Sequence, residues 1–345
     1  MPYRSLVTGG AGYFGRLLVD KLTQRGHSVR VFDLNEVDNP GPELELIRGD
    51  IRDSDAVRKA CSGMDLVFHN VAQVPLAKDR ALFRSVNIDG TRNLLSASLE
   101  AGVRKVVHTS TSAVYGVPKH NPVTERTAPT PMEAYGRAKL EGEALCAEFG
   151  RMGLDYSIIR PRTIMGHGRL GIFQILFEWI HEGYNVPVFN GGHNVYQFVH
   201  ADDLAEACIL SGLKPGIAEY NCGTDRFGTL RETLEALSRH AATGSLVRSL
   251  PMWPAVAGMK LASALGLSPL GAYHALMYGR SLYFDSSKAR SELGWQPKYS
   301  NQEMFIDSYE WYLRNRRAVL ESKSGASHHR SAVKQGMLSL VKRVL

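Results

Sequence analysis

The chain has 345 residues, 44% hydrophobic and 22% charged, which excludes a disordered polypeptide and allows a sizeable core. Its four cysteines, Cys61, Cys146, Cys208 and Cys222, show no paired close spacing, which excludes a zinc or disulfide framework and predicts reduced thiols in the cytoplasm. The net charge of +7 is carried from Arg314 onward, where eight basic residues face one acid, Glu321; a neutral body with a basic end lacks the basic face a nucleic-acid protein needs.

The first predicted element is a strand at 5–8. No basic-then-apolar leader precedes it, so no secretory signal is read. Next comes Thr8-Gly9-Gly10-Ala11-Gly12-Tyr13-Phe14-Gly15, running into a helix predicted over 13–25. A glycine turn between a strand and a helix is the setting of a dinucleotide site. Gly9 allows the tight turn, Gly12 lets the backbone approach a pyrophosphate, and Gly15 permits close helix–strand packing. Tyr13 and Phe14, between the last two glycines, are expected along the cofactor. A strand at 28–33 ends on Asp33, about 20 residues past the glycines, where an acid binds the adenosine ribose hydroxyls. A carboxylate there repels a 2′-phosphate, so NAD is favoured over NADP; Arg16 and Arg30 leave NADP open. After a strand at 44–48, Asp50-Ile51 stands where the adenine amino group would be held.

A helix at 53–61, a strand at 65–69, a helix at 81–101 and a strand at 105–109 follow. The last strand runs into His108-Thr109-Ser110-Thr111-Ser112-Ala113-Val114-Tyr115-Gly116, whose hydroxyls suit a group that steadies a substrate oxygen. The helix predicted over 134–151 opens with Tyr135-Gly136-Arg137-Ala138-Lys139, a Tyr and a Lys on one face. A free Tyr has a pKa of about 10, and a nearby ammonium and a positive nicotinamide favour the phenolate. Tyr135 is then a base towards an alcohol, or an acid towards a ketone, with Lys139 as its activator. A strand at 156–160 completes this half.

The second half is more broken. Helices are predicted at 172–182, 201–211 and 229–240, and strands at 186–189, 196–199 and 218–221. Alternating strands and helices predict an α/β fold, a Rossmann-type doubly wound parallel sheet with a smaller C-terminal substrate-binding lobe. The expected division is an NAD-binding domain over 1–165 with chain returns from the second half, a substrate lobe over 166–320 and a basic tail over 321–345. The apolar stretch 250–277, broken by Lys260 and by prolines 251, 254 and 269, reads as a greasy substrate lid, a membrane-facing helix pair or plain core. Past a Ser/Gly/His-rich linker, residues 331–345 form an amphipathic pattern, so peripheral membrane contact is open alongside a frayed tail or a partner-packing helix.

Gly9 to Gly15, Asp33, Asp50, Asn70-Val71-Ala72, Asn87, the Thr111 region and Tyr135 with Lys139 occur together in order. That set resembles the extended short-chain dehydrogenase/reductases, the NAD-dependent epimerase/dehydratase family, over roughly residues 3 to 315. The resemblance implies Thr111 as the catalytic hydroxyl, with Ser110 and Ser112 as rivals. It places Val71 and Ala72 along the cofactor, Asn87 in support of the active site, and Arg160 at the strand whose following segment contacts nicotinamide or substrate. It also implies a homodimer through the helices at 81–101 and 134–151, a small-molecule substrate and no metal.

Within the family, dehydratases carry Asp-Glu after the catalytic Thr, whereas this chain has Ser112-Ala113. Nucleotide-sugar 4-epimerases place an Arg before the aromatic of the Phe-x-x-x-Asp-Asp segment to clamp a diphosphate; here Gln197 precedes Phe198, though Arg162, Arg169 or Arg280 could compensate. The ending Ser287-Lys288-Ala289 with Leu293-Gly294-Trp295 resembles both the epimerase and the 3β-hydroxysteroid dehydrogenase branches, and the apolar stretch before it resembles the 3β-hydroxysteroid dehydrogenase branch. The expected activity is hydride transfer with NAD at a secondary alcohol or ketone of an apolar, sterol-like substrate. Alternatives are a UDP-sugar 4-epimerase and a non-catalytic NAD-binding scaffold.

Overall fold

A computed structural model describes residues 3–37, 41–73, 80–169, 172–251 and 279–321. Most of the apolar stretch 250–277 and the tail from 322 lie outside the described residues.

Six short apolar runs and one return strand build a seven-stranded sheet. They are β1 (Arg4–Thr8), β2 (Ser28–Asp33), β3 (Glu45–Arg48), β4 (Leu66–His69), β5 (Lys105–Thr109), β6 (Tyr156–Pro161) and, far along the chain, β11 (Ala218–Cys222). Their order is β11-β6-β5-β4-β1-β2-β3, and every neighbouring pair is parallel. Strands of a parallel sheet are covered on both faces and read as continuous apolar runs. All four residues of β4 and all six of β6 are buried, whereas the edge strand β3 is mostly exposed.

One face carries α2 (Ser54–Cys61), α4 (Gly90–Glu100) and α5 (Ala134–Arg151), packed over Leu6, Val67, Val106 and Ile158. The other carries α1 (Tyr13–Gln24) and α7 (Ala201–Leu213), over Val7, Phe68, Val107 and Ile159. The helix expected over 81–101 is broken. A short α3 (Arg80–Arg84) leads through a wide π turn, Ser85–Asp89, into α4. The π turn presents Asn87 sideways to the loop after β4, a displacement that the 3.6-residue pattern does not reveal.

The strand expected over 196–199 is two strands. β9 (Val195–Tyr196) pairs antiparallel with β12 (Gly228–Thr229), and β10 (Phe198–His200) pairs parallel with β7 (Thr163–Met165). Gln197 sits between them with its amide spent on backbone: Nε2 donates to Thr224 O at 2.7 Å, and Oε1 accepts from Phe284 N at 2.8 Å. A separate core gathers α6 (Ile172–His181), β8 (Val186–Phe189), α8 (Leu230–Ala241), β13 (Val247–Leu250) and α10 (Asn301–Glu321), with Phe177, Leu234, Phe305 and Tyr312 at its centre. A short α9 (Ser287–Leu293) packs on β11 and α7.

Arg314, Arg316 and Arg317, grouped by charge with the tail, belong to α10. Arg316 donates to both oxygens of the buried Glu178, and Arg317 pairs with Glu321. No helix of the described residues is long and apolar enough to cross a membrane.

Candidate active site

The candidate residues converge at the C-terminal ends of β1, β2, β4 and β5, where an open α/β sheet binds its ligands. Gly9 takes a φ of +73°, and its N–H donates to Phe32 O at 2.9 Å, closing the turn between β1 and β2. At Gly15 a Cβ would stand 2.0 Å from Gly9 O, so only glycine lets α1 start against that turn. The helix begins at Gly12 with no side-chain cap and no acid in its first turn. A cradle closed to a Cβ, under an uncapped helix end, fits a diphosphate. Tyr13 is buried at that end of α1 and Phe14 packs against the α1–α7 core.

Asp33 lies beside the same turn: its Oδ2 accepts from Ala11 N at 3.0 Å and its Oδ1 from Asn35 N at 2.9 Å. Arg30 points elsewhere, donating to the carbonyls of Ala60 and Ser62 and pairing with Glu45. Arg16 pairs with Asp20 one turn along α1. Asp50 is already paired: Arg52 holds both its oxygens and keeps its carboxyl below the usual range. Ile51 is 3% exposed and packs under Gly90, so its side chain is core. Val71 and Ala72 follow β4 against Gly9, with Val71 N lying 3.1 Å from where a Gly9 Cβ would be. Asn87 fixes this loop, accepting from Gln73 N at 3.1 Å and donating to the carbonyls of Gln73 and Phe83.

At the end of β5, Thr111 caps a 3-10 turn (Ser112–Tyr115), its Oγ1 accepting from Ala113 N at 3.2 Å. The turn lies against α5, where a Cβ on Gly136 would come 2.5 Å from Ala113 O. This close fit brings Tyr135 beside the Thr111 side chain, whose hydroxyl favours the phenolate. Burial is the main influence on the Tyr135 phenol and Glu133 the second; together they push it up to about 12 against the opposing pull of Arg169 and Thr111. Lys139 is 5% exposed, and its Nζ donates to Thr109 O at 2.8 Å. Burial lowers its pKa to about 8, opposed by Glu143 and Cys146. The cation that favours the Tyr135 phenolate is Arg169, whose guanidinium also lies 5.8 Å over the Tyr13 ring.

Ser110 and Arg160 belong to a different arrangement. Glu143, one turn beyond Lys139, accepts from Ser110 Oγ and takes the Nε/Nη2 edge of Arg160 on its two oxygens at 2.9 and 2.7 Å. Arg160 also donates to Tyr115 Oη at 2.9 Å and pairs with Glu219. Its side chain is therefore a strut joining α5 to β6 and β11, and Ser110 is tied to it. Glu143 extends the spacing of Tyr135 and Lys139 by one more turn, the signal by which it could have been found. Ser112 is held by Arg162 Nη1 at 2.9 Å. Of the three hydroxyls at this strand end, Thr111 is the one that acts on Tyr135.

The sequence profile of the NAD dependent epimerase/dehydratase family matches residues 5–223. A UDP-glucose 4-epimerase of Mycolicibacterium smegmatis is 30% identical over 331 residues, covering 90% of this chain and 98% of its own. A 3 beta-hydroxysteroid dehydrogenase/Delta 5-->4-isomerase of Mycobacterium tuberculosis is 31% identical over 342 residues, covering 90% of both. Among solved structures, the NAD complex of the Thermus thermophilus UDP-glucose 4-epimerase superimposes with a TM-score of 0.72 at 27% identity, over 90% of this chain and 99% of that one. With its seven-stranded sheet and its glycine cradle, the chain belongs to the NAD dependent epimerase/dehydratase family, the extended short-chain dehydrogenase/reductases.

Proposed function

We propose that this chain is an NAD-dependent oxidoreductase that interconverts a secondary alcohol and a ketone, with Tyr135 as acid and base. The observation that carries this reading is the placement of the half-buried Tyr135 phenol beside the Thr111 hydroxyl, at the strand ends beside the glycine cradle. Bound NAD supplies the hydride acceptor, and its reduced form the donor. Tyr135 takes the hydroxyl proton of an alcohol or gives a proton to a ketone oxygen. Thr111 holds that oxygen as charge develops on it. Lys139, on the Thr109 carbonyl, braces α5 against β5. Asp33 favours NAD over NADP, and the commitment of Arg30 to its own backbone partners removes one cation that would have drawn a 2′-phosphate.

For the substrate, an apolar sterol-like alcohol is supported by the likeness to the 3 beta-hydroxysteroid dehydrogenase and by the use of the Gln197 amide in backbone hydrogen bonds. A second reading, epimerisation of a nucleotide sugar, is supported by the equally close UDP-glucose 4-epimerase. A cytoplasmic homodimer, with peripheral membrane contact through 250–277 and the tail, completes the proposal.

The test is turnover of a sterol and lipid-ketone panel and a UDP-sugar panel, read as NADH absorbance and as epimer ratio. Tyr135→Phe is expected to lose at least about a hundredfold in turnover while binding NAD as tightly as wild type. Retained turnover in that variant overturns the mechanism.

A further inference from the structure

Two residues beyond Arg160 stands a second buried guanidinium with different surroundings. Arg162 is 1% exposed. Its Nη1 donates to Ser112 Oγ at 2.9 Å, and its Cζ lies 4.8 Å from the Tyr196 ring centre and 5.7 Å from that of Phe284. Its Nε and Nη2 are buried and have no hydrogen-bond partner. These two N–H groups form one edge of the guanidinium plane, the edge that takes two oxygens of a carboxylate or phosphate side by side. Arg160 uses that same edge on Glu143. In Arg162 it is unspent.

A buried cation with unmet donors is costly unless an anion pairs with it. The two aromatic rings offset part of that cost, yet neither replaces the missing in-plane acceptors. The placement is also that of a ligand contact. Arg162 directly follows β6 at the C-terminal edge of the sheet, and the Ser112 it holds adjoins Thr111.

We propose that the Nε/Nη2 edge of Arg162 binds an anionic group of the substrate, a carboxylate or a phosphate, close to the carbon on which Thr111 and Tyr135 act. The proposal rests on the reading of Thr111 and Tyr135 as the substrate site, and it requires that the substrate, sterol-like or nucleotide sugar, carry a two-oxygen anion beside its reacting carbon. Ser112 and the rings of Tyr196 and Phe284 hold the fork in position, so the anion is recognised by shape as well as charge.

The experiment is calorimetric titration of NAD-saturated protein with oxalate and, separately, with pyrophosphate. Saturable binding of at least one is expected; oxalate alone marks a carboxylate-bearing substrate and pyrophosphate alone a diphosphate. Arg162→Lys, which keeps the charge and loses the fork, and Arg162→Gln are each expected to weaken that binding at least about tenfold. Tyr135→Phe is expected to bind the anion as wild type does, so a failure of the turnover reading leaves this result legible. Should both Arg162 variants fail to fold, arginine-15N-labelled wild type carries the test: one buried Nε–H signal is expected to move as oxalate or pyrophosphate is added. Absence of saturable binding by wild type, unchanged binding in folded variants, or an unmoved Nε–H signal overturns the proposal.

Discussion

Glu133 performs two tasks at the head of α5. Its carboxylate caps the helix, accepting from Tyr135 N at 2.7 Å and Gly136 N at 2.6 Å, and its charge helps hold the Tyr135 phenol up. Glu133→Gln keeps an oxygen for the cap and removes the charge. Alcohol oxidation needs the phenolate, so its rate in wild type is expected to climb with pH, while ketone reduction uses the protonated phenol present near neutral pH. In Glu133→Gln the alkaline limb of the oxidation profile is expected to move to lower pH by up to about one unit. A profile that stays in place shows that the Glu133 charge does not govern Tyr135. At this scale the sequence was informative about which residues meet, and less so about what they do. The spacing of Tyr135 and Lys139 follows from helix geometry alone. The cation that acts on Tyr135 comes from Arg169, beyond β6, and the partners of Arg160 come from positions 143 and 219; no local pattern links them.

The start of α1 is the element on which the cofactor reading depends. Its glycines were legible because each answers a steric demand. The Gly15 position is closed by the Gly9 carbonyl, which is backbone and cannot swing aside. Gly15→Ala is therefore expected to push α1 off the turn, lowering stability by about 1–3 kcal/mol and abolishing NAD binding. Thermal unfolding with and without NAD reads both; a variant that binds NAD normally removes the cradle from the cofactor site. Other elements were hidden for physical reasons. The π turn at Ser85–Asp89 interrupts an unbroken apolar periodicity, so α3 and α4 read as one helix. β9 and β10 read as one strand because Gln197 looks like any alternating polar residue until its amide is seen bridging backbone from two distant segments.

Across the whole molecule, Asp203 ties α7, on one face of the sheet, to the C-terminal segment. Its carboxylate accepts from Lys298 N at 3.0 Å and Tyr299 N at 3.3 Å, and its backbone oxygen accepts from Trp295 Nε1 at 2.7 Å. Burial raises its pKa to about 6, against the pull of those two backbone N–H groups. A carboxyl raised in the folded state keeps its proton where the unfolded chain has lost it. Stability contributed by this group is thus lost as pH climbs from about 4 to about 6, and the cost is fully present above that. Asp203→Asn keeps an acceptor and cannot ionise. Urea unfolding is expected to show its stability gaining on wild type by on the order of 3 kcal/mol between about pH 4 and pH 7. A difference independent of pH means that the carboxyl is not raised. Sequence alternation revealed the parallel sheet, but it could not reveal which late strand would border β6, since the choice is made by packing.

That choice has a consequence for how the chain comes into being. All six residues of β6 are buried, and the strand that covers its open side, β11, lies beyond α6, β8, β10 and α7. During synthesis from the N-terminus, six strands can pair as they emerge while β6 waits with an unsatisfied backbone edge until β11, past α7, has been made. An exposed apolar edge of this kind recruits other strands. The vulnerable interval in the life of this protein therefore falls between the synthesis of β6 and that of β11, when the nucleotide-binding half is assembled and its last seam is still open.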